Sequence, residues 1–333
     1  MENGPNAQDK SCCSPLCFSH HFFFVSALYV RDREMVCLIA GCLGGLEGLV
    51  VEELKESFGS AILYIKVISE QPVKMGEAAC GKVWISLDDV SVGLEAIRSV
   101  QFWLVALYEG DLCGDGLSDA LPLLIPHLNH SALTQALEAW RGLLLSSTEN
   151  SGVTTSAVSD FSFWTRCVRS GEHKFTSVDL ASSLGGHIKD TMQWNVDVKD
   201  PTLMVSVIVA YRKVCIGLLL PIGAKASPKS HLPDELHPPI LHVSHTTNLR
   251  PSTAYLMLKL ANMQPYEVIV DAMCGPGAGL LEGAYGHHGV SIGGDVNIDL
   301  KAPLLQATKL ATSMSNHKTI AEVSGICITY MLL

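Results

Sequence analysis

The sequence predicts an α+β amino-terminal half built of two small units, followed by an incomplete α/β unit. Three observations predict it. Between residues 35 and 112, short apolar runs suited to strands bracket two stretches with helical spacing. Farther on, two continuous apolar runs, Leu203–Ala210 and Val214–Leu220, follow a single amphipathic stretch. In the last hundred residues an apolar strand runs into an acid and a glycine-rich turn, from Glu267 to Gly279.

Taken in order, Met35–Ala40 is a short strand, and Gly44-Gly45 opens a helix with Leu46, Leu49, Val50 and Leu54 on one face. Ala61–Ile68 and Lys82–Leu87 are strands. Asp88 or Asp89 caps a second helix through Val92, Leu94, Ala96 and Ile97, and Phe102–Tyr108 is the last strand. The order β-α-β-β-α-β is ferredoxin-like and defines a domain over 35–112. Residues 117–145 are helical and run into Ser146–Ser159, so 113–159 is a helical insert and linker. A second module covers 160–222. It has a strand at Phe161–Val168, a helix capped by Ser177 with Leu180, Leu184, Ile188 and Met192 at four-residue spacing, and the two apolar strands parted by Tyr211-Arg212-Lys213. Four prolines make 223–245 a linker, and 246–333 form the last domain, opened by a helix at Thr253–Met263.

With 333 residues, 48% apolar and 17% charged, the chain has material for two or three cores and not the composition of a disordered protein. The net charge of −10 sits in residues 1–159, which carry 9 basic and 19 acidic residues. Residues 160–222 carry 7 and 6. Coating of nucleic acid by bulk positive charge is excluded, but the middle module is slightly basic. The eleven cysteines contain no CxxC pair, which suits a reduced, intracellular protein of the cytoplasm or nucleus. Cys12, Cys13 and Cys17 cluster beside His20 and His21 without the four converging ligands of a zinc site, so no metal is expected. Phe22–Val30 is too short to span a bilayer and lacks a basic start, so 1–34 is taken as a poorly structured leader. The run from Leu203 to Leu220 is interrupted by Arg212-Lys213 and is no membrane helix either, and no membrane association is expected.

The chemistry concentrates at Asp271-Ala272-Met273-Cys274-Gly275-Pro276-Gly277-Ala278-Gly279. Three ligands compete for such a turn. A P-loop closes with Gly-Lys-Ser/Thr, whereas this chain has Gly279-Leu280-Leu281. A dinucleotide fingerprint needs a glycine where Leu280 stands, and Asp271 beside the turn would repel a diphosphate. S-adenosylmethionine carries no phosphate and is cationic at its sulfonium and amino groups, so an acid at the strand end suits it. A second acid is then needed for the sugar hydroxyls, and Asp295 ends the next strand 24 positions on. The bland alternative is a tight glycine turn capped by Asp271.

The same residues carry a family resemblance. Asp271–Gly277 with Leu281-Glu282-Gly283-Ala284 resembles the first motif of the THUMP-domain RNA (guanine-N2) methyltransferases, and Thr247–Tyr255 resembles their lead-in helix. Phe163–Cys167, Leu184-Gly185-Gly186 and Trp194–Pro201 resemble the THUMP module. The resemblance covers about residues 36–112 and 160–310. It implies a ferredoxin-like domain and a THUMP RNA-binding module followed by a Rossmann-like methyltransferase domain. It also implies formation of N2-methylguanosine in tRNA or another structured RNA, such as a small nuclear RNA, and a small zinc-binding activator subunit as partner. Carried over, Asp271, Cys274, Gly275 and Gly277 would line the methionine end of S-adenosylmethionine, and Asp295 would hold its ribose. Pro276 departs from the small polar residue usual there and removes one N–H donor.

For RNA, Arg166, Arg169, His173, Lys174, Lys189, Arg212 and Lys213 are the candidate phosphate contacts. Glu282 is expected to support its helix, and His287 and His288 to lie in a loop beyond it. The resembling family places an Asn/Asp-Pro-Pro-aromatic motif after the fourth strand to orient the target amine. No such motif follows Asp295, and the only Pro-Pro pair, Pro238-Pro239, lies upstream of the turn. Only 38 residues follow Asp295, enough for a helix at about Pro303–Met314 and one short strand. A C-terminally truncated domain, unable to methylate by itself, is therefore expected. The rivals are an inactive RNA-binding or regulatory protein and a small-molecule methyltransferase.

Overall fold

The computed structural model describes residues 35–68, 80–88, 93–147, 161–221, 249–264, 267–287, 290–297, 319–320 and 330–332. The leader with its cysteine cluster, residues 148–159 of the first linker, the whole 223–245 linker and the expected helix at 303–314 lie outside these residues.

Strand β1 (Val36–Leu43) is followed by helix α1 (Glu47–Phe58), β2 (Ile62–Val67), β3 (Cys80–Leu87) and β4 (Phe102–Asp111). Gly45 takes a φ of 88° at the β1–α1 turn, a conformation that glycine adopts without strain. Where a second helix was expected there is one 3-10 turn, Leu94–Ala96, with Leu94 and Ile97 buried. Residues 89–92 lie outside the described set. Gly93 is not helical, so within the described residues the two apolar anchors are seated on the 3-10 turn.

The insert is two helices, α2 (Leu117–Leu124) and α3 (His130–Ser147), joined by a 3-10 turn. Asn129 Oδ1 accepts the Ala132 N–H at 3.0 Å and starts α3. The middle module contributes β5 (Ser162–Ser170), α4 (Ser177–Met192), β6 (Asn195–Val196), β7 (Leu203–Ala210) and β8 (Lys213–Leu219). The cap of α4 is Thr176, not Ser177. Thr176 Oγ1 accepts the Asp179 N–H at 3.1 Å while Asp179 Oδ2 accepts the Thr176 N–H at 2.8 Å. Trp194 closes the module's core edge-on against Phe161 and Phe163.

The two modules expected to be separate share one sheet, in the order β2-β3-β1-β4-β8-β7-β5-β6. The join is the antiparallel pairing of β4 with β8, from Leu104 opposite Leu219 to Asp111 opposite Lys213, with a bulge between Ala106 and Tyr108. Gly217 makes it possible, because a Cβ there would lie 2.6 Å from the Val105 carbonyl oxygen. Helices α1 to α4 cover one face, and the Trp140 indole N–H of α3 reaches the Leu219 carbonyl at 2.8 Å. On the other face Ile39, Leu104 and Cys215 are buried. There Lys66 of β2 reaches Glu109 of β4 at 2.8 Å, three strands away. Three strand spacings part those strands by about 14 Å, a gap that the two long side chains bridge across the intervening strands.

The last unit begins with α5 (Pro251–Leu260), with proline at its first turn. Then come β9 (Val268–Asp271), α6 (Ala278–His287) and β10 (Val290–Gly293), with β9 and β10 parallel as a βαβ unit requires. Helix α6 runs to His287, which therefore belongs to the helix. Two short strands, β11 (Thr319–Ile320) and β12 (Tyr330–Leu332), complete the order β11-β12-β10-β9, with β12 antiparallel to β10. No helix among the described residues is long and apolar enough to cross a membrane.

Candidate functional site

The parallel register puts Asp271, the last residue of β9, opposite Gly293, the last of β10. The two strand ends are tied together by Gly294 N–H to the Asp271 carbonyl at 2.8 Å and Cys274 N–H to the Gly294 carbonyl at 2.9 Å. Asp271 Oδ1 accepts the Met273 N–H at 3.0 Å. Asp295 Oδ2 accepts the Gly275 N–H at 2.9 Å and its Oδ1 accepts the Asn297 N–H at 2.8 Å. Two acids from separate strands thus converge on one turn. Each of these oxygens has a further lone pair for a ligand hydroxyl or ammonium.

The turn needs its glycines. Gly275 has φ 54° and Gly277 φ 87°, and nothing lies within 4 Å of where a Cβ on Gly275 or Gly279 would be. Helix α6 starts from the turn through Leu281 N–H to the Gly277 carbonyl at 2.9 Å, so its first N–H groups open beside the two acids. Gly283 lets α6 lie against the sheet, because a Cβ there would strike Ile269.

Cys274, expected at the ligand, turns inward instead. Its Sγ lies over Gly293, the residue is buried, and burial with the Asp271 and Asp295 charges pushes the thiol up to about 11. It is a packing residue. Two side chains that sequence reasoning passed over stand at the rim: Met273 and Val296, each 86% exposed, directly beside the acids. The signal was available, an apolar residue immediately after the second acid and two places after the first. The open glycine backbone, the pair of acids and this apolar rim together fit a nucleoside with a cationic tail and no phosphate. Among the described residues no group of His, Cys, Asp or Glu is placed to hold a metal ion.

The seven candidate RNA contacts do not form one face. Arg166 is 8% exposed on the sheet face away from α4, opposite Ser206, where desolvation lowers its guanidinium below the ordinary range. Lys189 lies in the last turn of α4, at the end of the helix away from Lys174. Arg169, His173, Lys174, Arg212 and Lys213 do converge, where β5 and the β7–β8 hairpin end. Arg169 Nη1 donates to the Gly171 carbonyl at 3.0 Å and to His173 Nδ1 at 3.2 Å, and His173 Nε2 donates to the Tyr211 carbonyl at 2.7 Å. A carbonyl can only accept, which fixes that tautomer of His173. The loops leave a cleft of about 660 Å³ lined by Cys113, Gly114, Asp115, Gly171, Glu172, His173, Tyr211 and Arg212. Its positive charge is partly offset, since Lys174 pairs with Asp115 at 3.2 Å and Lys213 with Asp111 at 2.8 Å.

Comparison with known proteins shows which domains the chain holds. Residues 153–219 match the THUMP domain, and residues 239–314 match the RMKL-like methyltransferase domain. The chain thus holds a THUMP domain followed by an RMKL-like methyltransferase domain. It is 36% identical over 124 residues to the tRNA (guanine(6)-N(2))-methyltransferase THUMP3 of Homo sapiens, covering 37% of this chain and 22% of that protein. Against the tRNA (guanine(6)-N2)-methyltransferase of Archaeoglobus fulgidus the identity is 28% over 176 residues, 48% of this chain and 42% of the relative. The matched part of the chain therefore spans less than half the length of either curated relative. In fold the chain is similar to TrmN from Thermus thermophilus, with a TM-score of 0.55 and 22% identity over 84% of this chain and 71% of that one.

Proposed function

We propose that this chain binds S-adenosylmethionine in the β9–α6 turn and structured RNA through its THUMP unit, for N2-methylation of guanosine in tRNA. The observation that carries this is the meeting of Asp271 and Asp295 on an open glycine turn, in a chain that also holds a THUMP domain. The donor supplies an electrophilic methyl group on a sulfonium. Asp271 would face the cationic methionine end, Gly275 and Gly277 give its backbone room, and Asp295 would accept the ribose hydroxyls while holding the turn shut through Gly275. The cluster of Arg169, Lys174, Arg212 and Lys213 would meet RNA phosphates.

Attack by an exocyclic amine also needs acceptors that orient its lone pair and a platform for the flipped base. The Asn/Asp-Pro-Pro-aromatic sequence that does this in the resembling family does not occur in the 333 residues. These residues are therefore expected to bind donor and RNA without turnover of their own. A small zinc-binding activator as partner, and a cytoplasmic or nuclear setting, are proposed on the resemblance and the cysteine pattern respectively.

The test incubates the chain with labelled S-adenosylmethionine, the activator and undermethylated tRNA, alongside binding measurements for each ligand. Saturable binding of both ligands with no methyl transferred is expected. Turnover abolished by Asp271→Ala would show that the amine is oriented by other residues, and absence of donor binding would remove the proposed function altogether.

A further inference from the structure

Four side chains from separate parts of the chain meet where the methyltransferase domain rests on the amino-terminal unit. Glu53 of α1 accepts the backbone N–H groups of Arg98 and Ser99, both at 2.9 Å, and so fixes the bend just before β4. The Arg98 guanidinium lies 5.2 Å from the ring centre of Tyr255 on α5 and pairs with the carboxylate of Glu282 on α6. Burial first and the nearby Glu53 charge second push the Tyr255 hydroxyl well above its ordinary range. Glu282 is fully buried and the Arg98 side chain nearly so. At the rim Lys259 of α5 stands 3.7 Å from Glu56 of α1.

Two opposite charges inside an interface add little net stability over apolar residues of the same size, because both must leave water. What they do impose is one relative placement, since the pair is satisfied in a single geometry. Here that geometry connects two functional parts. Glu282 lies one helical turn beyond Ala278, where α6 leaves the glycine turn, and is held to it through Leu281 N–H and the Gly277 carbonyl. Arg98 leads into β4, whose far side pairs with β8 of the THUMP unit. The pair therefore sits on a rigid path from the cofactor turn to the RNA-binding sheet.

We propose that Arg98 and Glu282 form a latch that fixes the cofactor turn relative to the THUMP unit and so sets the distance between bound donor and bound RNA. The functional half of this statement rests on the proposed activity; the latch itself rests on the contacts. Removing one partner would strand a buried charge and risk unfolding, so the informative variant of the full chain removes both, Arg98→Met with Glu282→Leu. Calorimetry with S-adenosylhomocysteine, binding of transcribed tRNA and small-angle X-ray scattering are read on the same samples. Both affinities are expected within about twofold of the original chain, as for independent sites, while scattering shows a longer maximum dimension and loss of the single compact profile. Arg98→Lys, which keeps the charge, is expected to retain the compact profile. A folded double variant whose scattering overlays the original would overturn the latch. If circular dichroism shows that variant unfolded, the double variant Arg98→Gln with Glu282→Gln, which keeps polar shape and removes both charges together, is scored by the same criterion. Should the original chain bind neither ligand, the proposed activity fails, and the scattering comparison still decides the latch.

Discussion

Asp295 holds Gly275 with one carboxylate oxygen and Asn297 with the other, so removing the side chain loosens the turn and deletes the proposed ribose acceptor together. Asp295→Ala is expected to weaken S-adenosylhomocysteine binding by about 1–3 kcal/mol, the usual cost of orphaned hydrogen-bond partners. Calorimetry that finds equal affinities in the two proteins would refute the assignment. Cys274 gives a second test. With its thiol raised to about 11, the thiolate at pH 8 is about a thousandth of the population. Iodoacetamide followed by mass spectrometry should therefore label the exposed Cys113 well before Cys274. The two acids were legible in the sequence because each ends an apolar run at strand spacing. The inward turn of Cys274 was not, because only the folded glycine turn decides which side its thiol takes. Arg166 was misplaced although its signal was present: Phe163 and Cys167 pack with the helices, so the two-residue period sends Trp164 and Arg166 to the opposite face.

Helix α4 shows how a one-residue difference at a cap arises. Thr176 and Ser177 are both capping residues, and the sequence alone favours neither. The acid three residues after Thr176 completes a reciprocal pair that Ser177 cannot form. Thr176→Ala should cost about 1 kcal/mol in thermal or denaturant unfolding, whereas Ser177→Ala should cost a few tenths at most. The Asp179 carboxyl is held below its ordinary range by the Thr176 backbone N–H first and its hydroxyl second. A depressed acid contributes stability above its unfolded value and loses it as pH falls through the folded one. The difference between Thr176→Ala and the original chain should therefore shrink on acidification below about pH 4. The second expected helix of the amino-terminal unit is limited, in its described part, for a complementary reason: its apolar spacing was real, but Gly93 is outside helical geometry and Leu94–Ala96 form only a 3-10 turn.

For the whole molecule, the sequence indicated every strand of the continuous sheet except the two-residue β6, but not that they form one sheet. Strand pairing between segments a hundred residues apart leaves no local trace. What selects it is the fit at Gly217, where any side chain would separate β8 from β4. Gly217→Ala should destabilise by about 1–3 kcal/mol, as overpacking does. The unfolding of the amino-terminal unit and of the THUMP unit, followed by hydrogen exchange, should then part into two transitions. A single unchanged transition would mean that the fit at Gly217 is not what couples them.

The seam also sets a timetable for synthesis. β4 ends at Asp111, and its partner is complete only at Leu219, 108 residues later. At about 5–20 residues per second the ribosome delivers that partner roughly 5–20 s after β4. Throughout that interval an apolar strand edge, Leu104 to Ala106, waits unpaired on a nascent chain whose amino-terminal unit is otherwise able to fold. An open edge of that kind recruits other strands. The yield of native protein should therefore depend on translation speed through residues 112–219, and on chaperones that hold nascent chains, more than on the stability of the finished fold.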